Sequence, residues 1–303
     1  MSTSDFAHAR ALHERWFTLD THLDTPTARF MRTGWDFAAR HAFADDGSQC
    51  DLPRMAEGGL AGAVFAVYVG QAARTPEGLA TAHARAVACL ERTHEVLRLN
   101  AAQAGLALTA DDGPALQRAG RRAIYLSLEN AYSLGRDPAN VAKFHALGVR
   151  MIGLTHMLNN DVADSSTDPR GAEWGGLSPL GREVVAECNR LGITLDASHA
   201  SDHALAELLE RSRAPVILSH SGPRAVCDHP RNVGGGHFFI LDCHHAARVQ
   251  AANVAARDAR VDTRDFAISH QLGFFQSLLN ALHGGINVDH HAPLQTIARR
   301  HPH

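Results

Sequence analysis

Residues 19–24 read Leu-Asp-Thr-His-Leu-Asp, an apolar strand pattern that ends in two metal-ligating side chains. Three later stretches repeat this arrangement, at residues 125–130 (Tyr-Leu-Ser-Leu-Glu-Asn), 194–199 (Thr-Leu-Asp-Ala-Ser-His) and 216–221 (Val-Ile-Leu-Ser-His-Ser). Successive side chains of a strand alternate between its two faces, so His22 and Asp24 point the same way. A pair of this kind can bind one cation from a rigid strand end.

The later stretches place Glu129, His199 and His220 at the ends of three further predicted strands. With the first pair they offer imidazole and carboxylate ligands, a set that Zn²⁺ accepts readily. Alternatively, these side chains cap strands or connect loops by hydrogen bonds. That interpretation does not explain why all five fall at the same end of their strands. The layout therefore indicates a metal-dependent hydrolase.

Strand-like apolar runs alternate with helix-like stretches, which is the pattern of βαβ units and a parallel sheet. Strands are predicted at residues 17–24, 61–69, 123–129, 149–156, 192–199, 214–221, 237–243 and 284–289. These eight strands are the number needed to close an α/β fold of the (β/α)₈ TIM-barrel type. In such a barrel the carboxyl ends of all strands lie at the same end. Ligands far apart in sequence are therefore expected to meet there.

Helices are predicted between these strands. Residues 77–104 are rich in Ala, Leu, Glu and Arg, Leu180–Leu191 precedes the terminating glycine Gly192, and Asp202–Arg211 follows Ser201. Serine is a favoured residue at a helix start and glycine at a helix end. No repeat or linker divides the chain, so we predict a single hydrolase domain over residues 1–303.

Composition argues against several other classes of function. The 303 residues carry a formal net charge of −3, and Lys and Arg are scattered, so neither nucleic acid nor an anionic membrane is an expected partner. No apolar run is long enough to span a bilayer, and the first residues lack a secretory signal pattern. The five cysteines never occur as Cys-x-x-Cys, which favours reduced thiols in a cytoplasmic protein.

Three other residues attract attention. His156, at the end of the fourth predicted strand, is either a sixth ligand, a substrate-orienting imidazole or a hydrogen-bonded loop histidine. Arg231 can bind a substrate carboxylate through two parallel hydrogen bonds, although a lone loop arginine is often a solvated surface residue. Asp196 does not point to the same face of its strand as His199, so we expect it to lie behind the ligands or to face the core.

Longer motifs surround these residues. They occupy residues 50–59 (Cys-Asp-Leu-Pro-Arg-Met-Ala-Glu-Gly-Gly), 148–156 (Gly-Val-Arg-Met-Ile-Gly-Leu-Thr-His), 159–160 (Asn-Asn), 176–185 (Gly-Leu-Ser-Pro-Leu-Gly-Arg-Glu-Val-Val), 189–192 (Asn-Arg-Leu-Gly), 198–199 (Ser-His), 219–221 (Ser-His-Ser) and 231–232 (Arg-Asn). In them the sequence resembles the membrane (renal-type) dipeptidase family of zinc peptidases, within the amidohydrolase superfamily. The similarity spans residues 15–232, and the combined motifs are highly specific.

The resemblance implies two zinc ions per chain. By that resemblance His22 and Asp24 bind one ion, His199 and His220 bind the second, and Glu129 bridges both. The residues support this chemistry independently, because two cations bridged by a carboxylate lower the pKa of a shared water and polarise a carbonyl. No Gly-x-Ser-x-Gly elbow and no suitably placed cysteine offers a protein nucleophile.

The resemblance also implies a substrate and its contacts. His156 and Arg231 are implied to hold a small dipeptide and its tetrahedral intermediate, and a homodimer is suggested. The leading hypothesis is a zinc dipeptidase. The alternatives are a catalytically impaired zinc-binding barrel and an amidohydrolase that acts on another small amide.

The last part of the chain departs from the family pattern. Residues 233–236 read Val-Gly-Gly-Gly where the family continues into Pro-Asp, and residues 233–303 are divergent. At the last predicted strand, Asp289 matches the position of the family's proton-handling aspartate, but its neighbours do not fit. Pro293–Arg300 offers only a short final helix. We therefore expect an atypical, truncated C-terminal part, with Asp289 as the remaining acid and activity below that of a complete family member.

Overall fold

The computed structural model describes residues 8, 10, 11 and 13–234. Within this part a parallel sheet of six strands is formed, in the order β1-β2-β4-β5-β6 with β3 paired to β4. The strands are β1 (Leu19–Leu23), β2 (Gly62–Tyr68), β3 (Ala104–Leu106), β4 (Arg122–Glu129), β5 (Val149–Gly153) and β6 (Thr194–Asp196). Parallel neighbours need crossover connections, and helices supply most of them.

The helices in the described part are α1 (Phe43–Asp46), α2 (Leu52–Gly58), α3 (Pro76–Leu99), α4 (Asp112–Arg118), α5 (Asn140–Ala146), α6 (Pro179–Leu191) and α7 (Asp202–Arg211). A short π-helix spans Pro26–Phe30, and a 3₁₀ turn spans Ala131–Leu134. Among the described residues, no helix combines the length and apolarity needed to cross a membrane.

Local sequence explains where α6 begins and ends. The Ser178 side chain accepts a hydrogen bond from the Gly181 main-chain N–H, and Pro179 occupies the first helical turn, where a missing N–H has no cost. Gly192 ends the helix with φ at 72°, a left-handed conformation that glycine adopts without strain. A Cβ at Gly181 would lie 2.1 Å from the Val162 carbonyl oxygen, so only glycine fits there.

The core lies along the central strands. Leu126 and Leu128 of β4 are fully buried, as are Phe65 of β2 and Ile152 of β5. Such continuous apolar burial is typical of parallel strands that are covered on both faces. The sheet is therefore a rigid platform for the side chains at its carboxyl edge.

The predicted elements agree with the structure except at four places, the first of which is the strand predicted at 192–199, formed only over Thr194–Asp196. Residues 104–106, at the end of the predicted helix 77–104, form β3, because α3 stops at Leu99 with Asn100 as its cap. The predicted strand at 214–221 contributes one bridge, between Ile217 and Asp196. The predicted strand at 149–156 already ends at Gly153.

The predicted strands at 237–243 and 284–289 and the helix at Pro293–Arg300 lie outside the described residues. For the same reason the single domain over residues 1–303 stays a prediction.

Candidate metal centre

The predicted ligands lie at the carboxyl ends of the parallel strands. His22 is in β1 and Asp24 directly follows that strand, Glu129 is the last residue of β4, and His199 comes three residues after β6. His220 follows the stretch that is bridged to β6. All five side chains line one cavity.

The Glu129 carboxylate is the centre of this cluster. Its Oε2 atom lies 3.5 Å from the Nε2 atom of His22. Its Oε1 atom lies 3.2 Å from Nε2 of His199 and 3.4 Å from Nε2 of His220. The two oxygens therefore face different imidazoles.

Two candidate ligand sets share this carboxylate. The ligand atoms of His22, Asp24 and Glu129 lie within 4.8 Å of one another, and the same holds for Glu129, His199 and His220. Both sets consist of imidazole nitrogens and carboxylate oxygens, the donors that Zn²⁺ accepts.

A third set that meets the same distance limit contains Asp196, together with His22 and His220. The Asp196 carboxylate, however, already accepts hydrogen bonds from the main-chain N–H groups of Ser198 and Ser219 and from the Ser219 hydroxyl. Its buried position agrees with the expectation that it lies behind the ligands.

Burial and neighbouring charges set the protonation of the cluster. Burial opposes ionisation of Glu129, but the imidazoles of His199 and His220 outweigh it and hold the pKa of Glu129 well below its usual range. Burial lowers the pKa of His199 to about 4. Burial also acts to lower the pKa of His22, but the Asp24 and Glu129 carboxylates more than compensate and raise it. Near neutral pH the cluster contains an ionised carboxylate beside a neutral His199, as a metal site requires.

The approach of two ring nitrogens supports the fit to a cation. Nε2 of His199 lies 2.9 Å from Nε2 of His220, and Glu129 Oε1 is next to both. Lone pairs this close need a shared proton or a cation among them. The imidazole and carboxylate donors present therefore fit zinc.

The backbone is strained at two positions of this site. His199 has φ at 69° and Asn130, which follows Glu129, has φ at 72°; in the described part of the chain they are the non-glycine residues with positive φ. Asn130 is held there because its Oδ1 atom accepts hydrogen bonds from Tyr132 N and from Nδ2 of Asn160. Strain of this kind is common at functional sites.

The cavity has a volume of about 440 Å³ and is lined by His22, Asp24, Thr27, Ala28, Tyr68, Glu129, His156, His199, His220 and Arg231. Tyr68, Thr27 and Ala28 are not among the site residues predicted from the sequence. Tyr68 is the last residue of β2, so the strand-end rule applied to the ligands could have identified it. Thr27 and Ala28 lie on the π-helix after β1, for which the sequence carries no comparable signal.

The structure also brings His156 and Arg231 into this cavity. The His156 ring lies 4.5 Å from the Tyr68 ring and 4.3 Å from the His199 ring, measured between centroids. Burial lowers the pKa of His156. The Arg231 guanidinium donates to Ser221 Oγ at 2.6 Å and to the His220 carbonyl at 3.2 Å. Arg231 is thus a fixed cation beside the candidate ligands, not a solvated loop residue. Asp289 lies outside the described residues.

A parallel sheet with a carboxylate-centred histidine cluster at its carboxyl edge is typical of metal-dependent hydrolases built on α/β barrels. The chain belongs to the membrane dipeptidase family, peptidase family M19, whose family model matches residues 6–237. This membership confirms the resemblance drawn from the sequence motifs.

Individual relatives agree with this membership. Dipeptidase tcpJ of Claviceps purpurea is 35% identical over 215 residues, which cover 67% of this chain and 49% of that protein. The crystal structure of the probable dipeptidase PvdM from Pseudomonas aeruginosa is similar with a TM-score of 0.73 at 33% identity, over 80% of this chain and 61% of that one. This likeness confirms the predicted α/β-barrel fold class.

A second similar structure is a metallopeptidase from Rhodobacter sphaeroides, liganded with a phosphinate mimic of the dipeptide L-Ala-D-Ala. Its TM-score is 0.64 at 25% identity, over 74% of this chain and 70% of that one. The chain spans about half the length of the curated relatives it matches.

Proposed function

We propose that the protein is a dizinc peptidase that hydrolyses the peptide bond of small dipeptides with a metal-activated water. The observation that carries this proposal is the division of the Glu129 carboxylate, whose Oε2 faces His22 while its Oε1 faces His199 and His220. Such a carboxylate can bridge two cations, which lie about 3.5–4 Å apart in two-metal hydrolases.

The residues divide into two sets around this bridge. His22 and Asp24 would hold one ion, and His199 and His220 the other. When bound, zinc supplies a water of lowered pKa and polarises the scissile carbonyl. The low pKa of Glu129 keeps the bridging carboxylate ionised, and the low pKa of His199 keeps a lone pair free for coordination.

Arg231 supports a substrate with a free carboxylate. Its guanidinium is partly buried beside the cluster and is oriented by Ser221 and the His220 carbonyl. A guanidinium held in this way binds a carboxylate with geometric specificity. A cavity of about 440 Å³ suits a small ligand such as a dipeptide.

His156 is the second proposed substrate contact. Its Nε2 atom is 3.9 Å from Glu129 Oε1, so the ring lies at the edge of the ligand cluster without being part of either set. Because its pKa is lowered by burial, the neutral ring can hydrogen-bond the oxygen of a tetrahedral intermediate.

The amine that leaves when the peptide bond breaks must be protonated, and Asp289 is proposed as the acid.

The names of the relatives, which are dipeptidases, support hydrolysis of a peptide bond as the reaction.

The proposal is tested by the zinc content and dipeptide turnover of the purified full chain. We expect close to two zinc ions per chain, and hydrolysis of dipeptides with a free carboxylate. The His220→Ala variant should lose roughly one ion, because its ring is a ligand. The matched control is His203→Ala, which removes an exposed histidine of α7.

The outcomes separate the alternatives. Protein that is purified without chelators and contains no metal would contradict the proposal. Two bound ions with no turnover on any dipeptide would favour the impaired barrel, and turnover of other amides in preference to dipeptides would favour an amidohydrolase.

A further inference from the structure

A chain of hydrogen bonds lies behind His220, on the side of the ring away from Glu129. Ser219 Oγ is 2.5 Å from Asp196 Oδ2, and it is also 2.7 Å from Nδ1 of the His220 ring. Ser198 Oγ lies 3.3 Å from Ser219 Oγ and accepts the main-chain N–H of His220 at 3.1 Å. These contacts join Asp196 at the end of β6 to a predicted metal ligand.

Counting hydrogens gives these bonds a direction. An ionised carboxylate has only acceptor sites, so the Ser219 hydroxyl donates its single hydrogen to Asp196. Oδ1 of Asp196 is occupied by the main-chain N–H groups of Ser198 and Ser219, at 2.9 and 3.1 Å. The Ser219 oxygen can then only accept from His220, so Nδ1 of that ring carries the hydrogen.

The position of Ser219 is itself fixed. Its carbonyl accepts a hydrogen bond from Thr21 Oγ1 of β1 at 2.6 Å, while its N–H and hydroxyl bind Asp196 of β6. The serine is thereby connected to strands on both sides of the cluster. The His220 ring, which hydrogen-bonds to Ser219, is therefore held in a fixed orientation.

We propose that Asp196 and Ser219 are positioning residues that fix the Nδ1–H tautomer of His220 and leave its Nε2 lone pair free for a metal ion. This inference rests on the proposed metal site. The other two histidine ligands are held differently, because Nδ1 of His22 and Nδ1 of His199 are buried without a hydrogen-bond partner among the described residues. The second partner of a ligating imidazole sets its tautomer and affinity.

The sharpest test is the isosteric substitution Asp196→Asn. The Asn oxygen would accept the two main-chain N–H groups, and its NH₂ would donate to Ser219. The Ser219 hydroxyl would then donate to Nδ1 of His220 at 2.7 Å rather than to Ser198 Oγ at 3.3 Å, so the hydrogen of the neutral ring moves to Nε2. Nitrogen-15 NMR of histidine-labelled, metal-free protein reads the tautomer directly, at a pH where the ring is neutral. We expect Nδ1–H in the unmodified protein and Nε2–H in the variant.

Zinc affinity, measured by chelator competition, provides the second readout. Asp196→Asn and Ser219→Ala should each weaken it about 10–100-fold, as for other outer partners of metal ligands. Ser219→Thr, unlike Ser219→Ala, keeps a hydroxyl at this position. It should therefore keep the zinc affinity and the Nδ1–H tautomer of the unmodified protein. The control is Ser127→Ala, which removes a buried hydroxyl of β4 that has no partner in the described structure; it should change neither.

Two results would overturn the inference. They are an Nε2–H tautomer in the unmodified protein, and Asp196→Asn protein with unchanged tautomer and zinc affinity. Failure of the proposed function is distinguishable, since protein that binds no zinc still reports its His220 tautomer by NMR.

Discussion

Glu129 and Asp164 are both buried carboxylates, but their partners differ in kind. Asp164, in the loop between β5 and α6, accepts main-chain N–H groups from Glu173 and Trp174 at 2.8 and 3.0 Å and from Gly176 at 3.0 Å. Glu129 receives no main-chain N–H from the described residues and faces ring nitrogens instead.

The two kinds of partner differ in whether the donor nitrogen can lose its hydrogen. A peptide N–H cannot lose its hydrogen, so the Asp164 carboxylate is permanently satisfied and holds its loop. An imidazole nitrogen can exchange its hydrogen for a metal ion, so the rings around Glu129 are able to bind a cation beside it. The nature of the donors therefore separates a structural carboxylate from a candidate bridging ligand.

The largest expected effect comes from Glu129→Gln. If both oxygens bridge, the substitution should disturb both ligand sets together and abolish dipeptide hydrolysis. Elemental analysis and a turnover assay measure the two effects. Loss of one metal equivalent with activity retained would show that Glu129 is not the bridge.

The second-largest effect is expected from Arg231→Ala. Removal of a partly buried guanidinium should weaken apparent dipeptide affinity by about 2–5 kcal/mol, as for one partner of a buried charge pair. KM and kcat on free and C-terminally amidated dipeptides measure the effect. The unmodified protein should show the same deficit with amidated substrates, and equal use of both substrates would contradict a carboxylate contact.

Asp164→Asn tests the other half of the comparison. Its NH₂ group cannot accept a main-chain N–H, so at least one buried donor loses its partner. We expect the free energy of unfolding to fall by about 1–3 kcal/mol, measured by urea denaturation, with metal content per folded molecule unchanged. Asp45→Asn on the exposed side of α1 is the control. Loss of metal without loss of stability would contradict the distinction between Asp164 as a structural carboxylate and Glu129 as a candidate metal ligand.

The smallest effect concerns pH at Asp51, the N-cap of α2. Burial opposes its ionisation, but the main-chain N–H groups of Arg54 and His41 and the Arg54 side chain outweigh it and lower the pKa of Asp51 below 3.8. A lowered folded pKa means that the stabilisation is fully present above pH 3.8 and is lost as the pH falls below it. Asp51→Asn should therefore be about 1 kcal/mol less stable near neutral pH, with the difference disappearing in acid. A difference independent of pH would exclude the charge as its source.

Most of the described fold was predictable because its signals are local. The start of α7 at Asp202, after the cap Ser201, and the end of α6 before Gly192 follow from the preferences of single residues. β3 was not predictable, because three residues carry no period of their own and gain strand structure only by pairing with β4.

The candidate site shows the same division. Glu129 and His199 could be located because strand ends converge in a parallel fold. The hydrogen-bond partners of a candidate ligand could not be found this way: Ser219, which contacts His220, is held by Asp196, which is 23 positions away in sequence.

The left-handed backbone at His199, with φ at 69°, bears on how this sequence can drift over evolutionary time. Holding a non-glycine residue there costs on the order of 1–3 kcal/mol. Glycine adopts this region without strain, whereas histidine, like asparagine and aspartate, occupies it only occasionally. If His199 binds a metal ion, as proposed, selection for metal binding retains the histidine despite the cost. Once selection ends, replacement by glycine would relieve the strain and remove the proposed ligand together, so position 199 should be among the first ligand positions to change in lineages that have abandoned catalysis.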